Sequence, residues 1–272
     1  MTEERFGEFV LVRRHGAGGA GGAGHVAELA LDRPKAMNAV STEMARSIAA
    51  ACTALGADRD VRVVVLTSTH ERAFCVGADL KERNSFSDAD LVRQRPVARG
   101  AYTGVLELPV PTIAAVHGFA LGGGFELALS CDVIVADGTA VVGLPEVSVG
   151  VIPGGGGTQL LPRRVGAARA AELIFTARRV EAAEARELGL VDVLVEDGHD
   201  REEALAMGSR MAANSPVGLR NAKRALRLGH GLDLRAGLEV EDAAWRATAF
   251  SGDRAEGVAA FNEKRKAEWP GE

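Results

Sequence analysis

Two glutamates, Glu126 and Glu146, each lie in a short stretch suited to the wall of a reaction site. Glu126 falls in Leu121-Gly122-Gly123-Gly124-Phe125-Glu126-Leu127 and Glu146 in Gly143-Leu144-Pro145-Glu146. Both stretches are otherwise apolar or glycine-rich. A pair of carboxylates around one water in a dry pocket can add H and OH across a double bond, one taking a proton while the other gives one. A glutamate among apolar neighbours, as Glu146 is beside Leu144, Val147 and Val149, has its pKa raised, which suits a proton donor near neutral pH.

Backbone groups complete the equipment. Gly122-Gly123-Gly124 reads as the start of a helix, whose first N–H groups have no internal acceptor and carry partial positive charge. Glycine there lets a ligand approach closely, so the Gly123 amide is placed to hold a developing oxyanion. Glu126 follows one turn later on the same face. A second amide is offered by Ala78 in Val76-Gly77-Ala78-Asp79, a turn-prone stretch after a buried strand. His117 reads as a structural residue at a strand end. Cys75 and Cys131, without a histidine partner in sequence, read as small buried residues.

These groups need elements to position them. The pattern predicts strands at Val26–Leu31, Val63–Leu66, Thr112–Val116, Val133–Val135 and 191–195, alternating with helices up to about residue 195. Ser41 reads as a helix N-cap and Gly189 as a helix stop. Residues 67–81 read as a loop, and 84–104, polar with Pro96 inside, as an irregular and mobile segment. Residues 201–269 read as helices only, the last opened by a capping box of Asp253 and Glu256. The tract 16–24 holds a literal G-x-G-x-x-G, but a strand rather than a helix follows it. It reads as a hairpin connection and not a dinucleotide site.

Bulk properties narrow the function classes. The chain has 272 residues, 47% hydrophobic and 25% charged, enough for one large domain, or one domain with a smaller appendage. A formal net charge of -5 predicts no nucleic-acid partner. No apolar run is long enough to span a membrane, and the acidic start shows no secretory signal. Three cysteines without paired spacing argue against a disulfide scaffold or a zinc site and predict a cytoplasmic protein with reduced thiols.

The ordered series Asp32-Arg33-Pro34-Lys35-Ala36-Met37-Asn38, Ala73 to Lys81, His117 to Leu127, Gly143-Leu144-Pro145-Glu146 and Val151 to Gln159 resembles the enoyl-CoA hydratase/isomerase (crotonase) family over residues 8–269. The resemblance implies an α/β fold, a spiral of β-β-α turns, with residues 1–198 carrying the acyl-CoA site. Residues 199–272 would form a helical region for trimerisation, with trimers often stacked as hexamers. It implies an acyl-CoA thioester held between the Ala78 and Gly123 amides, Glu126 deprotonating a water and Glu146 protonating the α-carbon. The coenzyme belongs to the substrate, so no further cofactor and no metal is implied. Carried over residue by residue, Lys35 and Ala36 would meet the adenine end, and Asp79, Leu80 and Lys81 would continue the thioester loop. Phe261 and Lys264 would reach a bound CoA, in the same or a neighbouring subunit. Retention of both glutamates favours hydration of a trans-2-enoyl-CoA to a 3-hydroxyacyl-CoA over isomerisation. Phe125 is bulkier than the residue common there, and would narrow the pocket or pack in the core.

Overall fold

The computed structural model describes residues 3–16 and 24–272. In chain order, strands β1 (Glu3–Phe6), β2 (Val10–His15) and β3 (Val26–Leu31) are followed by α1 (Thr42–Ala57), β4 (Val63–Ser68), β5 (Ala73–Cys75), α2 (Leu80–Arg83) and α3 (Asp88–Leu106). Next come β6 (Thr112–Val116), β7 (Phe119–Leu121), α4 (Gly123–Leu129), β8 (Val133–Asp137), β9 (Val141–Gly143), α5 (Gly157–Val165) and α6 (Ala167–Thr176). The chain closes with β10 (Val180–Glu181), α7 (Ala182–Leu188), β11 (Val193–Val195), α8 (Asp200–Ala212), α9 (Pro216–Gly229), α10 (Leu234–Ala249) and α11 (Gly252–Glu263).

The strands form two sheets, a larger one in the order β1-β2-β3-β4-β6-β8-β11 and a smaller one in the order β10-β9-β7-β5. Each turn of chain gives one strand to each sheet: β4 then β5, β6 then β7, β8 then β9. Pairing between successive turns is parallel in both sheets. The chain therefore advances as a spiral of β-β-α turns. The strands alternate faces with period two. Leu29, Leu66, Ala114, Val116 and Ile134 face a core shared with α1, α3 and α4. Val63, Val65, Ile113, Ala115 and Val135 face α8.

Helix α1 starts where Ser41 caps it, the hydroxyl accepting from the Met44 N–H. It packs against α3 closely enough that a Cβ on Gly104 would lie 3.3 Å from the Cys52 Cβ. Helix α7 stops at Gly189, which takes the left-handed conformation. The three cysteines are free and buried, and no described helix is long and apolar enough to cross a membrane.

Three expectations are corrected. Residues 88–106 form one helix. A reciprocal capping box of Ser87 and Asp90 opens it. Ala98, Ala101, Tyr102 and Val105 bury its inner face, enough to carry Pro96 on the exposed side. The stretch 67–81 contains β5, a strand specified by pairing with β7 rather than by local pattern. Helix α11 is capped by Ser251, not by an Asp253–Glu256 box. Asp253 is buried and accepts instead from the Ser215 hydroxyl and the N–H groups of Val217 and Gly271. In the tract 16–24, residues 17–23 lie outside the described residues; the strands on either side pair antiparallel from His15 and Val26 onward.

One buried carboxylate ties the sheet to its cover. Glu28 on β3 accepts from both ends of the Arg201 fork at 2.7 Å, from Thr67 at 2.9 Å, and pairs with His15 at 2.8 Å. Burial alone would raise its pKa, but these partners together hold it at about 2 against an ordinary 4.5. The sign is that of a depressed acid. Its stabilisation is present above the unfolded value of 4.5 and is lost as pH falls toward 2. Glu28→Ala is expected to cost about 2–4 kcal/mol in urea unfolding at neutral pH. The difference from the parent should shrink in acid.

Candidate active site

Helix α4 is short and wholly buried, Glu126 included. Its preceding residue, Gly122, sits at φ 53°, ψ −129°, a backbone shape that glycine adopts without strain. This turn aims the Gly123 N–H outward at the head of the helix. Gly77, at φ 92°, is pressed against it: a Cβ there would lie 3.1 Å from the Gly123 nitrogen and 2.8 Å from the Leu121 oxygen. The Gly77-Ala78 segment and the α4 start are thus neighbours. Among the described residues, no backbone or side-chain acceptor takes up the Ala78 or the Gly123 N–H. Two adjacent amides of this kind can hold one oxyanion.

Glu126 projects from the next turn. Its Oε1 accepts from the N–H groups of Gly155 and Gly157, both at 2.7 Å. Burial raises its pKa, and the amides of residues 155–157 and the positive charge of Arg95 pull in the opposite direction. Glu146 opens the 3-10 turn Glu146–Val149 after β9. Its Oε1 lies 3.1 Å from where a Cβ on Gly122 would stand, and its Oε2 is buried without a hydrogen-bond partner. Burial first, then the nearby Glu126, lifts its pKa to about 7. The two acids therefore differ in kind. Glu126 is gripped by main-chain donors, while Glu146 keeps one buried oxygen without a partner and is easily protonated.

Ala78, Gly123, Glu126 and Glu146 all line one cavity of about 1030 Å³. One face of α3 forms its wall, through Leu91, Gln94, Arg95, Ala98 and Tyr102. Tyr102 is buried, and its hydroxyl packs against the Gly123 position while its ring packs against Gly155. Phe125 is buried in the core and does not line the cavity.

Beyond the Ala78 bend lies a second groove of about 980 Å³, sharing Val76, Ala78 and Leu80 with the cavity. Lys35, Ala36, Asp79, Leu80 and Lys81 line it. The Asp79 carboxylate is engaged within the protein, accepting from the Lys81 and Glu82 N–H groups and pairing with Arg33 at 2.7 Å. It shapes the loop by capping α2. Phe261 and Lys264 line neither space; Phe261 is 84% exposed on α11. His117 is structural, pairing with Asp200 and with the His70 carbonyl. Tyr102 and Arg95 are site residues that the sequence reading did not single out. The spacing of Leu91, Arg95, Ala98 and Tyr102 along one helical face was the available signal.

The two-sheet spiral, with a buried short helix carrying an acid behind a glycine turn, defines a crotonase-fold protein. The crystal structure of enoyl-CoA hydratase from Bacillus anthracis matches at TM-score 0.88 and 41% identity, over 91% of this chain and 96% of that one. That of enoyl-CoA hydratase from Mycobacterium tuberculosis H37Rv matches at TM-score 0.86 and 35% identity, over 97% and 99%. The enoyl-CoA hydratase/isomerase family model matches residues 21–272. Among curated relatives, mouse mitochondrial enoyl-CoA hydratase domain-containing protein 2 is 42% identical over 250 residues, spanning 90% of this chain and 84% of its own. Human mitochondrial methylglutaconyl-CoA hydratase is 40% identical over 248 residues, spanning 90% and 73%. The chain belongs to the enoyl-CoA hydratase/isomerase family, and it is an enzyme.

Proposed function

We propose that the protein hydrates the 2,3 double bond of a trans-2-enoyl-CoA to give a 3-hydroxyacyl-CoA. The observation that carries this is the opposed state of two glutamates in one cavity: Glu126 fixed by two N–H groups, Glu146 with a pKa of about 7. The thioester carbonyl lies between the Ala78 and Gly123 amides, which stabilise the enolate oxygen as charge develops. Glu126 orients a water and takes its proton as the oxygen attacks C3. Glu146, in its acid form, delivers a proton to C2. Once the proton left on Glu126 has been passed back to Glu146, water has supplied both the added H and the added OH; the carbon skeleton undergoes no net oxidation, so the reaction needs no redox cofactor. Lys35, Ala36, Leu80 and Lys81 flank the coenzyme arm in the adjoining groove.

The same amide pair supports a second reading, movement of the double bond without water. An unsatisfied acid such as Glu146 could shuttle a proton along the chain. The deciding assay follows hydration of enoyl-CoAs of graded length and shape in H₂¹⁸O. Incorporation of ¹⁸O at C3 is the expected result. A shifted double bond without label would replace the hydratase reading by the isomerase one.

A pH dependence follows. Glu146 gives its proton in the hydration direction, so its active form is the acid. Its pKa of about 7 predicts that kcat/KM for hydration falls as pH rises through that value. The reverse dehydration needs Glu146 ionised and Glu126 protonated, the same singly protonated pair, and because hydration takes up no net proton kcat/KM for the two directions should fall together over that window. Parallel profiles of the two directions, both flat across pH 6–8, would remove Glu146 from this role.

The active assembly is proposed to be a homotrimer or a dimer of trimers. Supporting this, the stretch from α9 to α11 exposes the large apolar side chains Leu226, Leu234, Trp245, Phe250 and Phe261, the kind of surface a subunit contact would cover. A neighbouring subunit could then bring Phe261 and Lys264 to the coenzyme. Buried unpaired thiols fit a reducing compartment, and we propose the cytoplasm.

A further inference from the structure

Four arginines, Arg83, Arg95, Arg99 and Arg179, line the acyl cavity along with its two glutamates. Among the described residues, no carboxylate pairs with Arg83, Arg95 or Arg99 within 4.0 Å, whereas just over half of the arginines outside the cavity are so paired. A wall meant only for a hydrocarbon chain has no use for such groups, because each cation that a chain covers must give up water.

Arg95 is the best placed of them. Its Nη2 donates to the Gly154 carbonyl at 2.7 Å. The Gly154–Gly155 peptide then presents its N–H to Glu126, also at 2.7 Å. The guanidinium and the Glu126 carboxylate thus hang on opposite ends of one peptide unit, about 7 Å apart by standard bond and hydrogen-bond lengths. Its positive charge is felt at Glu126. One hydrogen bond leaves most of the guanidinium's donors unused. Arg95 also lies on the Glu126 side of the cavity, away from the groove where Lys35 and Lys81 face the coenzyme arm.

We infer that the acyl group carries a second anionic end, a carboxylate one or two carbons beyond the double bond, and that Arg95 receives it. This rests on the acyl-CoA reading above and names the substrate class within it. The distance fits. When C3 stands beside the water held by Glu126, a carboxylate a short step further along the chain meets the free edge of the Arg95 fork. The bidentate match of guanidinium and carboxylate supplies direction as well as charge. Arg95→Lys keeps the charge but not the fork.

The test compares two thioesters of equal chain length, trans-4-carboxybut-2-enoyl-CoA and trans-pent-2-enoyl-CoA, on the intact protein. The parent is expected to favour the carboxylate ester in kcat/KM. Arg95→Gln should lower the ratio of the two kcat/KM values by about 10–100-fold, mainly through KM, with Arg95→Lys in between. Equal losses on both esters would mean that Arg95 only steadies the Gly154 peptide, and would overturn the inference. So would a parent preference for the neutral ester. Dissociation constants for both thioesters, measured by calorimetry, judge Arg95 even if neither is turned over. Tighter binding of the carboxylate ester to the parent but not to Arg95→Gln supports the inference, and equal binding defeats it. Absence of turnover on both would count against hydration alone.

Discussion

Replacing Glu126 or Glu146 by glutamine lowers kcat for hydration by about 10²–10⁴-fold, with the coenzyme moiety still bound. Glutamine keeps the size and part of the hydrogen bonding of each side chain. It cannot accept the water's proton at Glu126 or release one from Glu146. The two losses should not add, since the two acids act as a unit in one addition, one taking a proton while the other gives one. The double variant is then scarcely slower than the worse single one. At Glu126 a second effect opposes retention of shape. Its Oε1 takes two N–H groups, and an amide nitrogen rotated into that place would face two donors. At Glu146 the buried Oε2 lacks a partner, so the neutral amide should fit with little strain and even stabilise the fold above neutral pH. Turnover and thermal unfolding measured together therefore separate the pair: both variants inactive, only Glu126→Gln destabilised. Full turnover in either variant would dismiss the two-acid chemistry.

Gly124→Ala is expected to cost at least about 3 kcal/mol and to abolish turnover in whatever folds. A single methyl at this position would overlap the Cys75 carbonyl, with the Cys75 Cβ 2.9 Å away. Cys75 ends β5 and is fixed by pairing with β7, so it cannot retreat. Helix α4 must move instead, which separates the Gly123 amide from Ala78 and pulls Glu126 from its glycine loop. Urea unfolding gives the first quantity and steady-state kinetics the second. A variant of parental stability would mean that α4 and β5 are less tightly apposed than described.

Local patterns marked the elements whose reason for existing is local. Strands β3 and β6 appear at Val26–Leu31 and Thr112–Val116 as expected, because mainly apolar runs end there at turn residues. The Ser41 cap and the Gly189 stop are single-residue signals and were legible for the same reason. Elements defined by distant partners were not. Strand β5 is three residues that extend only because β7 lies beside them. Helix α3 hides its inner face among arginines and Pro96, so its apolar stripe is weak until α1 is known to lie against it. Asp253 has the position of a capping acid, but its partners come from residues 215–217 and 271. In the site, the acids and the Gly123 amide were visible as motifs. The grip of Gly155 and Gly157 on Glu126, and the place of Tyr102 behind Gly123, depend on loops meeting in space.

Glu126, the proposed general base, takes its two N–H donors from glycines that have no side chain to exchange, while the α3 wall of the cavity is made of side chains. Reactivity and selectivity thus have separate structural owners. On the proposed chemistry, variation at Leu91, Gln94 and Ala98 retunes which acyl groups fit, over many generations or in a laboratory library, without disturbing the addition of water. Such a division makes this scaffold a favourable starting point for diversification.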